Sequence, residues 1–149
     1  MSAPSRAGLR GGCLAAALSV TLAAAGPAAA GELTVRITGV RGGEGSVNVG
    51  LWRGSAGFRD DARTVRSAST PARDQAVDVT FRGLEPGSYA IIAYHDEDGD
   101  GELDRFFGMM PTEGWGVSND PDLAGPPKFD AAAFELPAAA PVIEIPLNY

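Results

Sequence analysis

From Leu33 onward, apolar and polar residues alternate with a period of two in stretch after stretch, and helical periodicity is almost absent. Leu33, Val35 and Ile37 are interleaved with Thr34, Arg36 and Thr38, which describes a strand with one dry face. After the glycine turn Arg41-Gly42-Gly43-Glu44-Gly45 the alternation resumes at Val47, Val49 and Leu51, and the two runs are expected to form an antiparallel hairpin. Val77, Val79 and Phe81 make the next set, followed by the turn Gly83-Leu84-Glu85-Pro86-Gly87. Tyr89 to Tyr94 is apolar on both faces, the mark of a central strand. Val142 to Leu147 is the last strand, and Pro146, which cannot donate a ladder hydrogen bond, puts its end at a sheet edge. Phe58 to Ser69 is polar, with a short strand expected around Thr64 to Ser67. Short strands punctuated by turns predict a small all-β fold, an antiparallel β-sandwich of prealbumin-like or immunoglobulin-like type with about six to eight strands. A membrane barrel needs at least about eight strands of roughly ten residues, and these runs are shorter and fewer.

Residues 1–30 have a different composition. Arg6 and Arg10 precede an apolar run from Cys13 to Ala25, and Ala28-Ala29-Ala30 supplies small residues for a signal peptidase. The pattern predicts a signal peptide over 1–30, a cut before Gly31, and a single domain over 31–149 placed in the periplasm or secreted. The apolar run is shorter than the roughly 20 residues of a membrane span, so no span is expected to remain after cleavage. Cys13 lies at the start of that run, whereas a lipid-attachment cysteine would stand at its end. It is the sole cysteine, so the remaining domain has no disulfide, and a bound metal ion is an alternative source of stability. Loss of two arginines moves the formal charge from −7 to −9. Such a field makes nucleic acid and anionic membranes poor partners and cations good ones.

The sharpest chemical feature is His95-Asp96-Glu97-Asp98-Gly99-Asp100-Gly101-Glu102-Leu103-Asp104. Asp96, Asp98 and Asp100 fall at alternate positions, and Gly101 permits a sharp bend behind them. Calcium takes about six to eight hard oxygen ligands, and this spacing wraps several around one ion, with the Glu102 backbone carbonyl and Asp104 following. The twelfth position, where a helical calcium hand closes with glutamate, is Phe107, and no helix flanks the loop. A ligand from elsewhere is therefore required, and Glu113, Asn119 and Asp120 are the candidates. The competing reading is a solvated acidic turn in which Asp and Gly serve turn chemistry alone. One imidazole and no thiolate make a transition metal a poorer match. That imidazole, His95, is a structural or surface residue in one reading and a carboxylate-orienting group or general base in the other.

Between Asp104 and Pro141 the chain is rich in Gly, Pro and Ala, and a connection of this length in a small domain is often functional. Phe129 to Leu136 is read as a short strand or helical turn. Phe106, Phe107 and Trp115 either plug one end of the core or, in the case of Trp115, offer a stacking face to a sugar or other small ligand. Trp52 carries the same two readings. Ser118 lies beside Asn119 in this segment without a nucleophile elbow around it.

The order Phe81 to Ala90, His95 to Asp104, Phe107-Gly108, Pro111, Glu113 to Asn119, Phe129, Ala132, Phe134 and terminal Tyr149 resembles a bacterial exported family, domain of unknown function 2141. The resemblance covers nearly all of 31–149 and implies export and a β-rich fold, with no activity to transfer. In the family pattern asparagine often stands where this chain has Asp98 and Asp100, and an asparagine oxygen is still a metal ligand. Phe81 to Ala90 alone also resembles a hairpin of prealbumin-like and carboxypeptidase-regulatory-like sandwiches.

The expected protein is thus an exported, non-enzymatic β-sandwich that binds calcium through Asp96, Asp98, Asp100, Glu102 and Asp104 and meets an envelope or extracellular ligand. A carbohydrate or small-molecule module built on Trp115, and a hydrolase dependent on a metal or on His95, are the rival readings.

Overall fold

The structure is a computed structural model that describes residues 31–103, 105–106, 110–122, 125–136 and 141–149. The leader expected over 1–30 lies outside the described residues, as do Asp104, Phe107 and Gly108. The chain runs through β1 (Gly31–Val40), β2 (Ser46–Arg53), a 3-10 turn (Asp61–Arg63), β3 (Arg66–Pro71), β4 (Gln75–Leu84) and β5 (Gly87–Asp96). It continues through β6 (Arg105–Phe106), β7 (Met110–Pro111), β8 (Trp115–Val117), α1 (Phe129–Ala132), β9 (Phe134–Leu136) and β10 (Val142–Pro146).

Two sheets form the body of the fold. One has the order β10-β1-β4; the other has the order β3-β2-β5-β8, with β9 also paired to β5. β6 and β7 pair with each other. The alternation read in the sequence becomes an alternation of burial. Leu33, Val35 and Ile37 of β1 and Val77, Val79 and Phe81 of β4 share one buried cluster with Val47, Val49 and Leu51 of β2 and Tyr89, Ile91 and Ala93 of β5. Each aliphatic side chain removed from water in this way contributes about 1.5–3 kcal/mol. The all-β sandwich is therefore as expected, with eight strands in its two sheets among the described residues.

Two details of pairing differ from expectation. β1 and β2 are not a hairpin: β1 pairs with β4 and β10, whereas β2 pairs with β3 and β5. The glycine turn carries the chain from one sheet to the other, and two strands that face each other across a core show the same alternation as two that pair. The second difference is that β10 runs parallel to β1, from Thr34 opposite Val142 to Thr38 opposite Pro146, so the sandwich is not wholly antiparallel. Parallel neighbours need a long connection, and here the rest of the domain supplies it. β10 is an edge strand, as Pro146 requires.

β5 is covered on both faces. Its inward residues join the core, while Ala90 on the outer face packs with Val117 and Ala132, with Phe58, Ile92, Trp115 and Phe129 around them. The segment expected to be a long loop therefore contributes β8 and β9, which pair along the free edge of β5, and α1, whose Ala132 covers part of the outer face. Trp52 is buried, donates from Nε1 to the Asp60 carbonyl at 3.0 Å and meets Phe58 edge-on, which is the structural reading for that residue. The strand expected near Thr64 begins at Arg66. Among the described residues no helix is long and apolar enough to cross a membrane.

Candidate metal centre

β5 delivers Tyr94, His95 and Asp96 to the start of the acidic loop, and strand geometry sends His95 to the opposite face from its two neighbours. Asp96 is 2% exposed. Its Oδ1 accepts from the Gly99 amide at 2.7 Å and its Oδ2 from the Gly101 amide at 3.0 Å, so the loop is wound around this carboxylate. Gly99 and Gly101 both take positive φ, +80° and +84°, which is why glycine stands at these bends. The Tyr94 hydroxyl donates to the Gly101 carbonyl at 2.8 Å. Burial, and then the field of Asp96, raises the Tyr94 phenol above its ordinary pKa. Asp98 and Asp100 form turns of their own, accepting from the Asp100 amide at 3.1 Å and the Glu102 amide at 2.7 Å.

A further carboxylate arrives from the turn before β8. Glu113 is 6% exposed, and its Oε1 accepts from the Glu97 amide at 2.8 Å. One oxygen each from Asp96, Asp98 and Glu113 lie within 4.8 Å of one another. Two of the three acids are buried, so the group gathers carboxylate oxygens at the foot of the loop where a cation could meet several at once. The donors are all oxygen, the set suited to a hard cation.

The other expected residues divide as follows. Asp100 and Glu102 are exposed on the same loop, outside the three-carboxylate group, and Asp104 lies outside the described residues. Asn119 is occupied elsewhere: its side-chain amide donates to the Ala133 carbonyl at 2.7 Å and the Ala131 carbonyl at 3.4 Å. Ser118 is fully buried, accepts from the Ile91 amide at 2.9 Å and donates to the Ala132 carbonyl at 2.5 Å. Both residues thus fasten the end of β8 to β5 and to the α1–β9 segment. Asp120 and Trp115 border a separate cleft.

His95 is 1% exposed. Its Nε2 lies 2.8 Å from the Glu44 carbonyl and its Nδ1 lies 2.9 Å from the Tyr149 hydroxyl. A carbonyl only accepts, so in the neutral ring Nε2 carries the proton and Nδ1 receives one from Tyr149. The same Tyr149 oxygen accepts from the Arg41 amide at 3.0 Å. The His95 amide donates to the Gly114 carbonyl at 2.7 Å, which ties the neighbour of Asp96 to the neighbour of Glu113. With both ring nitrogens engaged inside the protein, His95 braces the centre and presents no free nitrogen to a substrate.

Some supporting residues left little or no trace in the sequence. Asn48 on β2 reaches toward Asp96 Oδ2 at 3.5 Å, yet it reads there as an ordinary outward polar residue. Gly45 was legible only as part of a glycine turn; a Cβ on it would collide with the Asp96 carbonyl. Tyr149 and Glu44 act across separations that no local pattern encodes.

No curated protein and no solved structure matches this chain. Residues 35–144, from within β1 to within β10, do match a family, the one the motifs had suggested. The chain belongs to the family described as "Uncharacterized protein conserved in bacteria (DUF2141)".

Proposed function

We propose that this protein is an exported β-sandwich that binds calcium at Asp96, Asp98 and Glu113 and serves as a non-enzymatic binding or structural module of the cell envelope or its surroundings. The observation that carries the reading is the arrival of Glu113, from a separate segment, beside two carboxylates of the loop. A turn with acids in it needs no such partner, whereas a calcium loop without its closing glutamate does. The exposed Asp100 carboxylate and the loop carbonyls supply further oxygens toward the about six to eight that calcium takes. The engagement of both His95 nitrogens favours this reading over a histidine-dependent hydrolase. Export is supported by the pattern of Arg6, Arg10, Cys13 to Ala25 and Ala28 to Ala30.

A thermal melt of the metal-stripped protein tests the centre, with calcium and magnesium compared at fixed ionic strength. The chain carries a net charge of −7, so any salt has an unspecific effect that must be held constant. Calcium at about 100 times its dissociation constant adds about 2.7 kcal/mol, a shift of several degrees for a domain of this size. The shift is expected to vanish in Asp98→Ala, whose exposed side chain can be removed without opening the core. An unchanged melt at millimolar calcium would return the loop to a solvated turn. Export has its own check: mass spectrometry of protein from the envelope fraction should give a chain beginning at Gly31.

A further inference from the structure

A second feature shares no residue with the acidic centre. Trp115, Asp120, Pro121, Asp122 and Asn148 border an open cleft of about 430 Å³, within the roughly 300–1,000 Å³ of small-molecule sites. Its floor is set by backbone pairing. Trp115 and Asn148 exchange both amide-to-carbonyl bonds, at 2.9 and 2.8 Å, so their side chains stand on the same face of the sheet. Trp115 packs against the cluster of Ala90, Val117 and Ala132 yet stays half-exposed, so the fold supports the ring on one side and leaves part of it at the cleft. Its rim is set by the turn after β8. Asn119 and Asp120 hold φ of +66° and +40°, uncommon for residues with a side chain, and the Asn119 amide pins that turn to the Ala131 and Ala133 carbonyls. Asp120 therefore borders the tryptophan's cleft from a braced turn, and Asp122 lines the same cleft two residues on. Both are exposed, and among the described residues neither pairs with a lysine or arginine.

We infer that this cleft binds an amino sugar, with the apolar face of the pyranose on Trp115, its ammonium toward Asp120 and Asp122, and a hydroxyl toward Asn148. Aromatic rings take the C–H face of a sugar and also attract a cation. Two carboxylates that pair with no lysine or arginine among the described residues select a positive group and repel an acidic one. A purely apolar ligand would leave both acids and the amide of Asn148 unused. This assignment is independent of the calcium reading, because the two sites have no residue in common.

Isothermal titration calorimetry on protein expressed from the full 1–149 sequence, with chelator present to silence any metal effect, tests it. The probes are the β-1,4-linked tetramers of glucosamine and glucose, with a galacturonic acid tetramer as the acidic control. Glucosamine tetramer is expected to bind on the order of tenfold more tightly than glucose tetramer, and the acidic tetramer not at all. Trp115→Ala should abolish binding of both sugars. Asp120→Asn and Asp122→Asn alter exposed residues and keep the test valid if Trp115→Ala does not fold. They should remove the preference for the amine and leave the glucose tetramer unchanged. Equal affinity for the three tetramers, no binding of the glucosamine tetramer at millimolar concentration, or indifference to both aspartate variants would overturn the assignment.

Discussion

Tyr149 joins three distant parts of the chain through one hydroxyl, receiving the Arg41 amide and meeting the Nδ1 of His95, while its ring lies against Gly114 and beneath the Arg41 guanidinium at 4.2 Å. Removing that hydroxyl in Tyr149→Phe leaves a buried imidazole nitrogen without its partner, for a loss of about 1–3 kcal/mol in chemical denaturation. A variant as stable as the parent would show that the contact is dispensable. The same phenol gives a pH dependence. Burial raises the Tyr149 pKa above its usual 10.0, so the folded protein holds the proton more tightly than the unfolded chain. The associated stability is fully present below pH 10 and is lost as pH rises through the raised value. Tyr94 shifts in the same direction and adds to the alkaline loss. Melts from pH 8 upward should show a shallower decline in Tyr149→Phe than in the parent, with the Tyr94 component remaining.

At the scale of elements, the turn between β1 and β2 does more than reverse the chain. Gly45, with φ of +72°, lies against the backbone of Asp96 and Glu97, so the turn in one part of the sandwich buttresses the base of the acidic loop in another. Gly42 takes nearly the same φ, +69°, with no atom near its missing Cβ. The pair separates backbone strain from contact. Gly42→Ala should cost about 1–2 kcal/mol, the strain of a left-handed residue alone. Gly45→Ala should cost clearly more and, under the calcium binding proposed above, also weaken the stabilisation by calcium, because Asp96 must move. Equal losses in the two variants would mean that the contact with Asp96 is soft. The turn also explains why the sequence suggested a hairpin. Alternation records which face of a strand is dry, and that is the same whether its neighbour is hydrogen-bonded beside it or packed across the core.

For the molecule as a whole, the two sheets have no separate interiors, since the residues of β1 and β4 and those of β2 and β5 form one cluster. Unfolding is therefore expected to be a single transition. Far-UV circular dichroism and the fluorescence of Trp52 and Trp115, which both lie in the second sheet, should give coincident curves in urea. Divergent midpoints would mean that the flanking layer of β8, α1 and β9 detaches from β5 before the rest of the core opens. Loss of that layer would expose Ala90 and free Ser118 from Ile91, so the coincidence of the curves measures how firmly the segment after the acidic loop is held.

The sequence alone determined the all-β class, the strands around Leu33, Val47, Val77, Tyr89 and Val142, the glycine bends of the acidic loop and the family to which its ordered motifs belong. These are local properties: a period of two buries one face, and glycine after aspartate bends the backbone around an oxygen. Only the tertiary structure decided that β1 and β2 lie in opposite sheets, that β10 runs parallel to β1, that Glu113 and not Asn119 or Asp120 stands beside Asp96 and Asp98, and that Asn148 lies next to Trp115. His95 also acquired its role there, between a carbonyl and a terminal phenol far from it in the chain. Each of these depends on which distant segment completes a hydrogen-bond ladder or shares a core, and residue spacing carries no record of that choice.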